Sequence, residues 1–273
     1  MNFDLGAYLA RIGLPVRPAP DASGLRVLHR SHRCAIPFEN LDVRLGREIA
    51  IDGMRVFDKL VTARRGGYCF EHNRLFTGAL AALGFLAGPL LARVWLGATE
   101  TPPLTHTLSL VTIGGQEWIA DAGFGGSDAP PMPLVAGSET RAPDGALFRL
   151  VEDPTHGWML LRNGPSATTD GRGGGPGFQP QYSFRLTPVA DADLAVCNHW
   201  TSTAPGTRFL TATIVSLVLR AGFVGLTDAT YRRHERGEET TVLIDDPRVY
   251  QDRLRTTFGI DLSANDIAAL HLF

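Results

Sequence analysis

The chain has 273 residues, 44% of them hydrophobic and 20% charged, with a formal net charge of −2. That is enough apolar material for a sizeable core, so a disordered chain is excluded. The near-neutral balance carries no electrostatic footprint for nucleic acid and no charge run for a membrane surface.

The opening stretch, MNFDLGAYLARIGLP, has Asp4 early and no apolar leader-type run, so the cytoplasm is the expected compartment. Four helices are predicted in the first 85 residues. FDLGAYLARIGL has apolar residues at helical spacing and stops at Gly13 and Pro15. SGLRVLHRSHRCAI repeats the pattern up to Pro37, MRVFDKLVTARRGG runs to Gly66-Gly67, and YCFEHNRLFTGALAALGF ends near Gly84. Short helices with short connections predict a bundle. From about residue 89 the period changes: LARVWLGA, HTLSLVTI, QEWIADAGF, LFRLVE, GWMLLRN and YSFRLTPV alternate or run apolar, with Gly, Pro and Asp between them. An antiparallel sheet or small barrel is expected there. DGRGGGPG (170–177) lacks the Lys-Ser/Thr of a phosphate loop and reads as a surface loop.

The apolar stretch 209–226 holds Arg220 in its middle and is rich in β-branched residues. It reads as buried strands around a turn at Ala221-Gly222, not as a membrane span. PRVYQDRLRTTFGI is helical, and SANDIAALHLF is a helix with a Ser cap. The expectation is therefore a mixed α+β chain in three parts: a helical bundle over 1–88, a β-barrel-like part over 89–190 and an α/β lid over 191–273.

The three cysteines are Cys34, Cys69 and Cys197. Their odd number and the lack of C-x-x-C spacing argue against a disulfide framework and a structural zinc site. Cys69 lies in TARRGGYCFEHNRLF, just after two glycines that end one helix and let the backbone turn into the next. Free N–H groups and the helix dipole at that start favour a thiolate, and Arg64 and Arg65 add positive charge nearby. A buried packing cysteine is the competing reading of the same position.

A nucleophilic thiol needs a base. Among eight histidines, His72 shares a helix with Cys69 but lies along its side, as a packing or rim residue. His29, His32, His234 and His271 read as surface residues, His156 lies in a turn, and His199 in a loop that could reach a ligand. His106 opens HTLSLVTIGGQEWIADAGFGG, which reads as a hairpin turning at Gly114-Gly115. With a two-residue turn, Ile113 pairs with Gln116, His106 lies opposite Gly123, and Asp121 becomes its diagonal neighbour on the same face; a three-residue loop would put the two on opposite faces. A carboxylate so placed fixes the imidazole tautomer and stabilises its charged form. Cysteine, then histidine, then aspartate is the order of a triad that attacks acyl carbonyls.

IPFENLDV, RRGGYCFEHNRLF, HTLSLV, WIADAGFGG and NHWTSTAPGTRF, in that order and spacing over most of the chain, resemble the arylamine N-acetyltransferases. The resemblance implies a helical bundle, a β-barrel-like domain and an α/β lid around a cysteine-protease-like core. It implies Cys69, His106 and Asp121 as catalytic residues and acetyl-coenzyme A as co-substrate, with no metal. An arylamine or arylhydrazine would be the small-molecule partner, with no nucleic acid and no membrane. It further implies Phe38 and Phe124 near the acetyl and amine pocket, and Glu39 paired with Arg65. Gly125, Gly126, Thr203, Gly206 and Thr207 would lie near coenzyme A. The rival readings are an amide synthase fed by an acyl carrier, a thiol hydrolase or transglutaminase-like enzyme, and a binding module on an inactive fold.

Overall fold

The computed structural model describes residues 3–273. It opens with helices. α1 (Leu5–Arg11) and α2 (Ala22–Ala35) are capped by Asp4 and Asp21, whose Oδ1 atoms accept from backbone N–H groups at 2.9 and 2.8 Å. A two-residue strand β1 (Phe38–Glu39) and a helical turn α3 (Leu41–Arg44) follow. The third expected helix is shorter than its apolar pattern. α4 (Gly53–Phe57) widens into a π turn over Asp58–Thr62, and Ala63 N–H reaches the Asp58 carbonyl at 2.7 Å. The widened turn carries Lys59, whose Nζ lies 2.7 Å from both Asp42 Oδ2 and Glu71 Oε1. α5 (Cys69–Leu83) ends at Gly84 with φ 93°.

Eight strands come next: β2 (Leu86–Val94), β3 (Leu104–Ile113), β4 (Gln116–Ala120), β5 (Met132–Pro133), β6 (Glu139–Arg141), β7 (Leu147–Asp153), β8 (Gly157–Gly164) and β9 (Gly175–Phe184). They form one antiparallel, barrel-like sheet in the order β5-β4-β3-β2-β9-β8-β7-β6. β2 begins earlier than its sequence pattern, and β9 begins at Gly175, inside the stretch read as a surface loop. That stretch is held by the fold. Asp170 N–H donates to the Gly126 carbonyl at 3.2 Å, and a Cβ on Gly173 would sit 2.3 Å from the Leu96 side chain.

The last part holds α6 (Asp191–Thr203), α7 (Arg208–Thr211), β10 (Ile214–Leu219), β11 (Gly222–Thr227), β12 (Thr230–Glu235), β13 (Glu238–Leu243), α8 (Pro247–Phe258) and α9 (Ala264–Ala269). His199 therefore lies on a helix, not in a loop. The strands form a second antiparallel sheet, β1-β10-β11-β12-β13, so β1 from the N-terminal part is its edge strand.

Three cores result. One packs α1, α2 and α5 against β3 and β4 through Tyr8, Leu28, Phe76 and Val111. A second fills the barrel with Leu108, Phe148, Leu160 and Tyr182. A third lies under the second sheet around Val215, Tyr250 and Leu254. A smaller cluster with Phe38, Tyr68, Cys69, Leu194 and Ile214 sits where the parts meet. Among the described residues no helix is long and apolar enough to cross a membrane.

Candidate active site

Cys69 is the first residue of α5 and is only 3% exposed. Close packing fixes this helix start. A Cβ on Gly66 would lie 2.2 Å from the Pro37 carbonyl, so only glycine lets the two segments touch. Glu39 N–H donates to the Gly67 carbonyl at 2.8 Å, and Tyr68 N–H donates to Glu71 Oε2 at 3.0 Å. Arg65 donates to Glu39 Oε1 from Nη2 (2.8 Å) and Nε (3.1 Å), and reaches Asp42 at 3.3 Å. The Glu39–Arg65 pair is thus present. It also corrects the electrostatic expectation, because the Arg65 charge is spent on these carboxylates and not on the thiol. The Cys69 Sγ–H donates to the Thr105 carbonyl at 3.6 Å. Burial, and then the Asp121 carboxylate, push this thiol well above its ordinary range; the N–H groups of Phe70 and Cys69 oppose the rise.

The hairpin has the register its turn predicts. Gly114 and Gly115 have φ of 57° and 83°, and pairing runs from Ile113 with Gln116 to Ser109 with Ala120. Continued to its open end, that register brings His106 Nε2 to 2.7 Å from Asp121 Oδ2, both groups buried. The other carboxylate oxygen, Oδ1, accepts from Asn73 Nδ2 and Gly123 N–H, each at 3.0 Å. Burial alone would raise the Asp121 carboxyl, but His106, Asn73 and Gly123 together hold it below its ordinary value. Phe124 and Tyr182 pack on the His106 ring with centroids 5.1 and 5.2 Å away.

The loop after Asp121 is wrapped around a buried cation. Arg33 of α2 donates to the carbonyls of Ala122 (3.3 Å), Phe124 (2.9 Å) and Ser127 (3.0 Å), and its Nε to Asp128 Oδ1 (3.1 Å). A Cβ on Gly123 would lie 2.8 Å from the Cys69 carbonyl oxygen, so this loop also touches the helix start directly.

Cys69 and His106 line one cavity of about 220 Å³, together with Phe38, Phe124, Gly125 and Gly126. The two glycines first serve the lining itself: a Cβ on Gly125 would strike the Phe38 ring at 2.6 Å, and one on Gly126 the Leu96 side chain at 2.7 Å. Thr207 also faces the cavity, whereas Thr203 and Gly206 do not. Thr203 is exposed near the end of α6 with its hydroxyl on the His199 carbonyl, and Gly206 makes the turn before α7 at φ 80°.

Sequence reasoning missed Asn73, Arg33, Asp170, Arg172, Trp200, Arg208 and Phe209. Asn73 had a signal, since it is buried one helical turn after Cys69 on the same face. The others depend on long-range packing. His29 and His32, read as surface, are 2% and 0% exposed. His29 donates to the Asp121 carbonyl at 2.8 Å. His72 is buried with its Nε2 on the Pro37 carbonyl (3.0 Å) and its Nδ1 on His32 (2.8 Å). Among the described residues no group of three or more His, Cys, Asp or Glu is placed to hold a metal ion.

A buried thiol at a helix start, sharing a cavity with an imidazole held by a carboxylate, is the equipment of thiol-dependent acyl transfer. A family model described as N-acetyltransferase matches residues 21–267. The arylamine N-acetyltransferase / N-hydroxyarylamine O-acetyltransferase of Salmonella typhimurium is 36% identical over 98% of this chain and 92% of its own, and the arylamine N-acetyltransferase of Mycolicibacterium smegmatis is 36% identical over 96% and 94%. The solved Salmonella typhimurium structure superposes with a TM-score of 0.91 at 33% identity, covering both chains fully. That of the Mycobacterium marinum enzyme in complex with CoA gives 0.87 at 31% identity over 98% of each chain. The chain belongs to the arylamine N-acetyltransferase family, which bears out the resemblance carried by its motifs.

Proposed function

We propose that the protein moves an acetyl group from acetyl-coenzyme A to arylamines and arylhydrazines through an acetyl-Cys69 intermediate. The observation that carries this is the 2.7 Å contact between His106 Nε2 and Asp121 Oδ2 at the cavity that Cys69 lines. With Nε2–H donated to Asp121, Nδ1 is the free base of the ring. It takes the Sγ proton, and Asp121 stabilises the imidazolium that forms. This answers the burial of Cys69: the thiolate arises only as one half of an ion pair. The thiolate attacks the thioester carbonyl, with backbone N–H groups at the start of α5 as candidates for holding the oxyanion. Coenzyme A leaves with the proton from His106. The amine then attacks the acetyl-thioester, His106 takes its proton, and amide release returns the thiol.

The cavity supports acetyl transfer to a single-ring acceptor over the amide-synthase rival. Its volume of about 220 Å³ lies below the range of roughly 300–1,000 Å³ that suits a drug-sized ligand. Phe38 and Phe124 are placed to stack an aromatic acceptor and exclude water, which favours transfer over hydrolysis. All three cysteines are free, as suits a reducing compartment, and the cytoplasm is the location we propose.

Incubation with acetyl-coenzyme A alone should add one acetyl group to the intact protein, mapped to Cys69 by mass spectrometry. Aniline-type amines or arylhydrazines should discharge it faster than water does. Initial rates at varied donor and acceptor should give parallel double-reciprocal lines. Intersecting lines with no adduct would replace the covalent route by direct transfer, and an adduct that no arylamine discharges would return the amide-synthase reading.

A further inference from the structure

The two sheets end differently at their edges. In the eight-stranded sheet the edge strands β5 and β6 are two and three residues long, too short to template another strand. In the second sheet β1 is one edge, and Gly67 covers it by accepting the Glu39 N–H at 2.8 Å. β13 is the other edge. Its six residues are all exposed, with Val242 and Leu243 at 43% and 72%. It holds no proline, lysine or arginine, and its pairing with β12 has no bulge, so the usual devices that block an open edge are missing. The β12–β13 turn at Arg236-Gly237 has φ of 54° and 85°, as a two-residue hairpin turn requires. The residues flanking such a turn bond to each other, so the backbone groups of Glu238, Thr240 and Val242 face β12. Ile244 continues the alternation, its N–H reaching the Ala229 carbonyl at 2.9 Å. The N–H and C=O groups of Glu239, Thr241 and Leu243 therefore point outward, and among the described residues no strand lies beside them.

We propose that β13 is a self-association edge, which pairs antiparallel with β13 of a second copy of this chain about a two-fold axis at Thr241. Symmetry and charge select that register. A two-fold that joins antiparallel edges keeps the faces of the sheet, so one residue lies on the axis opposite itself. With the axis at Thr241, Glu239 faces Leu243 of the second copy, and every outward backbone group of β13 is paired. Among the side chains Thr241 meets its own copy, Thr240 meets Val242, and no glutamate lies opposite another. An axis at Thr240 would push Leu243 onto Gly237 of the turn. One at Val242 would set Glu239 against Asp245, and one at Glu239 would oppose two glutamates. The chosen register is also complementary in charge past the strand ends, where it carries the Arg236 turn of each copy towards Asp245 and Asp246 of the other. Among the described residues the side chains of Arg236 and Asp245 make no hydrogen bond or ion pair, while Asp246 caps α8. β13 lends no residue to the cavity that holds Cys69, so the joint leaves both active sites open.

Sedimentation velocity from nanomolar to submillimolar concentration should show the full chain passing from one copy to two. Thr241→Glu places two like charges on the axis and should weaken the dimer by about tenfold or more in dissociation constant. The substituted side chain is exposed and its backbone groups face away from β12, so the far-UV circular dichroism of the variant should match the wild type. Cross-linking tests the register itself. On the axis the two copies of residue 241 have Cα atoms about 5.5 Å apart, within disulfide range. Mild oxidation of Thr241→Cys should therefore give a covalent dimer, mapped by peptide mass spectrometry to a bridge between the two introduced thiols. Glu239→Cys is on the same face, but its two copies are roughly 14 Å apart in this register, and it should stay uncrosslinked. A wild type that remains a single copy at submillimolar concentration would overturn the proposal. So would a dimer unaffected by Thr241→Glu, which would place the contact on another surface. Cross-linking of Glu239→Cys as readily as Thr241→Cys would reject the two-fold at Thr241.

Discussion

At Asp121 the two carboxylate oxygens face different partners, and this decides what an amide would do there. Oδ1 meets two donors, Asn73 Nδ2 and Gly123 N–H, while Oδ2 accepts from His106 Nε2. In Asp121→Asn the amide oxygen is therefore held by Asn73 and Gly123, and the NH2 group points at His106. The ring must then accept at Nε2 and carry its proton on Nδ1, the wrong tautomer for taking a proton from sulfur. We expect a folded protein whose acylation rate falls by about 10⁴-fold, as tautomer reversal does in other nucleophile-His-Asp sites. His72→Gln should cost much less in rate, because His72 is fully engaged by Pro37 and His32. A larger loss from His72→Gln in single-turnover acetylation would place the base on the helix. The thiol allows a second test. Cys34 and Cys197 are partly exposed and Cys69 is buried, so accessibility favours the first two. Limiting iodoacetamide at pH 7 should nevertheless label Cys69 first, and His106→Ala should abolish that preference. First labelling of Cys34 or Cys197 in the wild type, read by peptide mapping, would show that no thiolate–imidazolium pair forms.

Among the elements, the β3–β4 hairpin was legible in the sequence because its turn has two glycines and a single favoured register. Once Ile113 faced Gln116, the His106–Asp121 meeting followed from strand geometry. The start of α5 was legible for a similar local reason, the Gly66-Gly67 break. The loop that joins them was not. Nothing local in 121–128 announces that Arg33, some 90 residues earlier, would sit inside it and organise three of its carbonyls. The same loop supplies Gly123, whose missing Cβ would press on the Cys69 carbonyl at 2.8 Å and its Cα at 2.9 Å. Both contacts are backbone atoms, so neither can swing aside. Gly123→Ala should therefore destabilise the fold by about 1–3 kcal/mol, the usual range for overpacking. By shifting hairpin end and helix start apart, it should also lower kcat/KM by more than tenfold. Urea midpoints and steady-state rates on one preparation check both. Full activity in a stable Gly123→Ala protein would show that the loop and helix start are free to separate.

Across the whole molecule, the sequence disclosed the order of parts better than their docking. The second sheet recruits β1, and Asn40 ties it to the N-terminal part by donating Nδ2 to the Phe209 and Ala212 carbonyls and accepting the Ile214 N–H. Trp200, Arg208 and Phe209 reach the cavity only through that docking, which no local pattern encodes. Burial of the histidines was misread for the same reason: His29 and His32 stand in a helix whose polar residues look solvent-facing until α5 and the hairpin cover them. Their bonding has a single consistent proton arrangement. Pro37 has only a carbonyl to offer, so His72 donates from Nε2 and accepts at Nδ1. His32 then donates from Nε2, and the Tyr8 hydroxyl donates to His32 Nδ1 at 2.9 Å. His32 and His72 are both neutral, and neither has room for a second proton. Burial, reinforced by Arg33, pushes His72 down to about 3, and burial with the neighbouring His72 pushes His32 well below its ordinary range. Burial also lowers His29, against an opposing pull from Asp128. Unfolded, these rings protonate near pH 6.5. Below that pH the unfolded chain binds protons that the native chain refuses, so stability falls as pH drops. It is fully present above about pH 6.5 and is lost progressively towards the native values, at about 1.4 kcal/mol per pH unit for each ring. Burial raises the Glu71 carboxyl, against the pull of Lys59, so that group opposes the histidine contribution as pH falls, but it is one carboxyl against three rings. Urea midpoints should therefore fall steeply over this interval and stay nearly level between pH 7 and 8. A midpoint unchanged from pH 7 to pH 5 would mean that the native protein takes up these protons, and that the chain from Tyr8 to Pro37 is open to water.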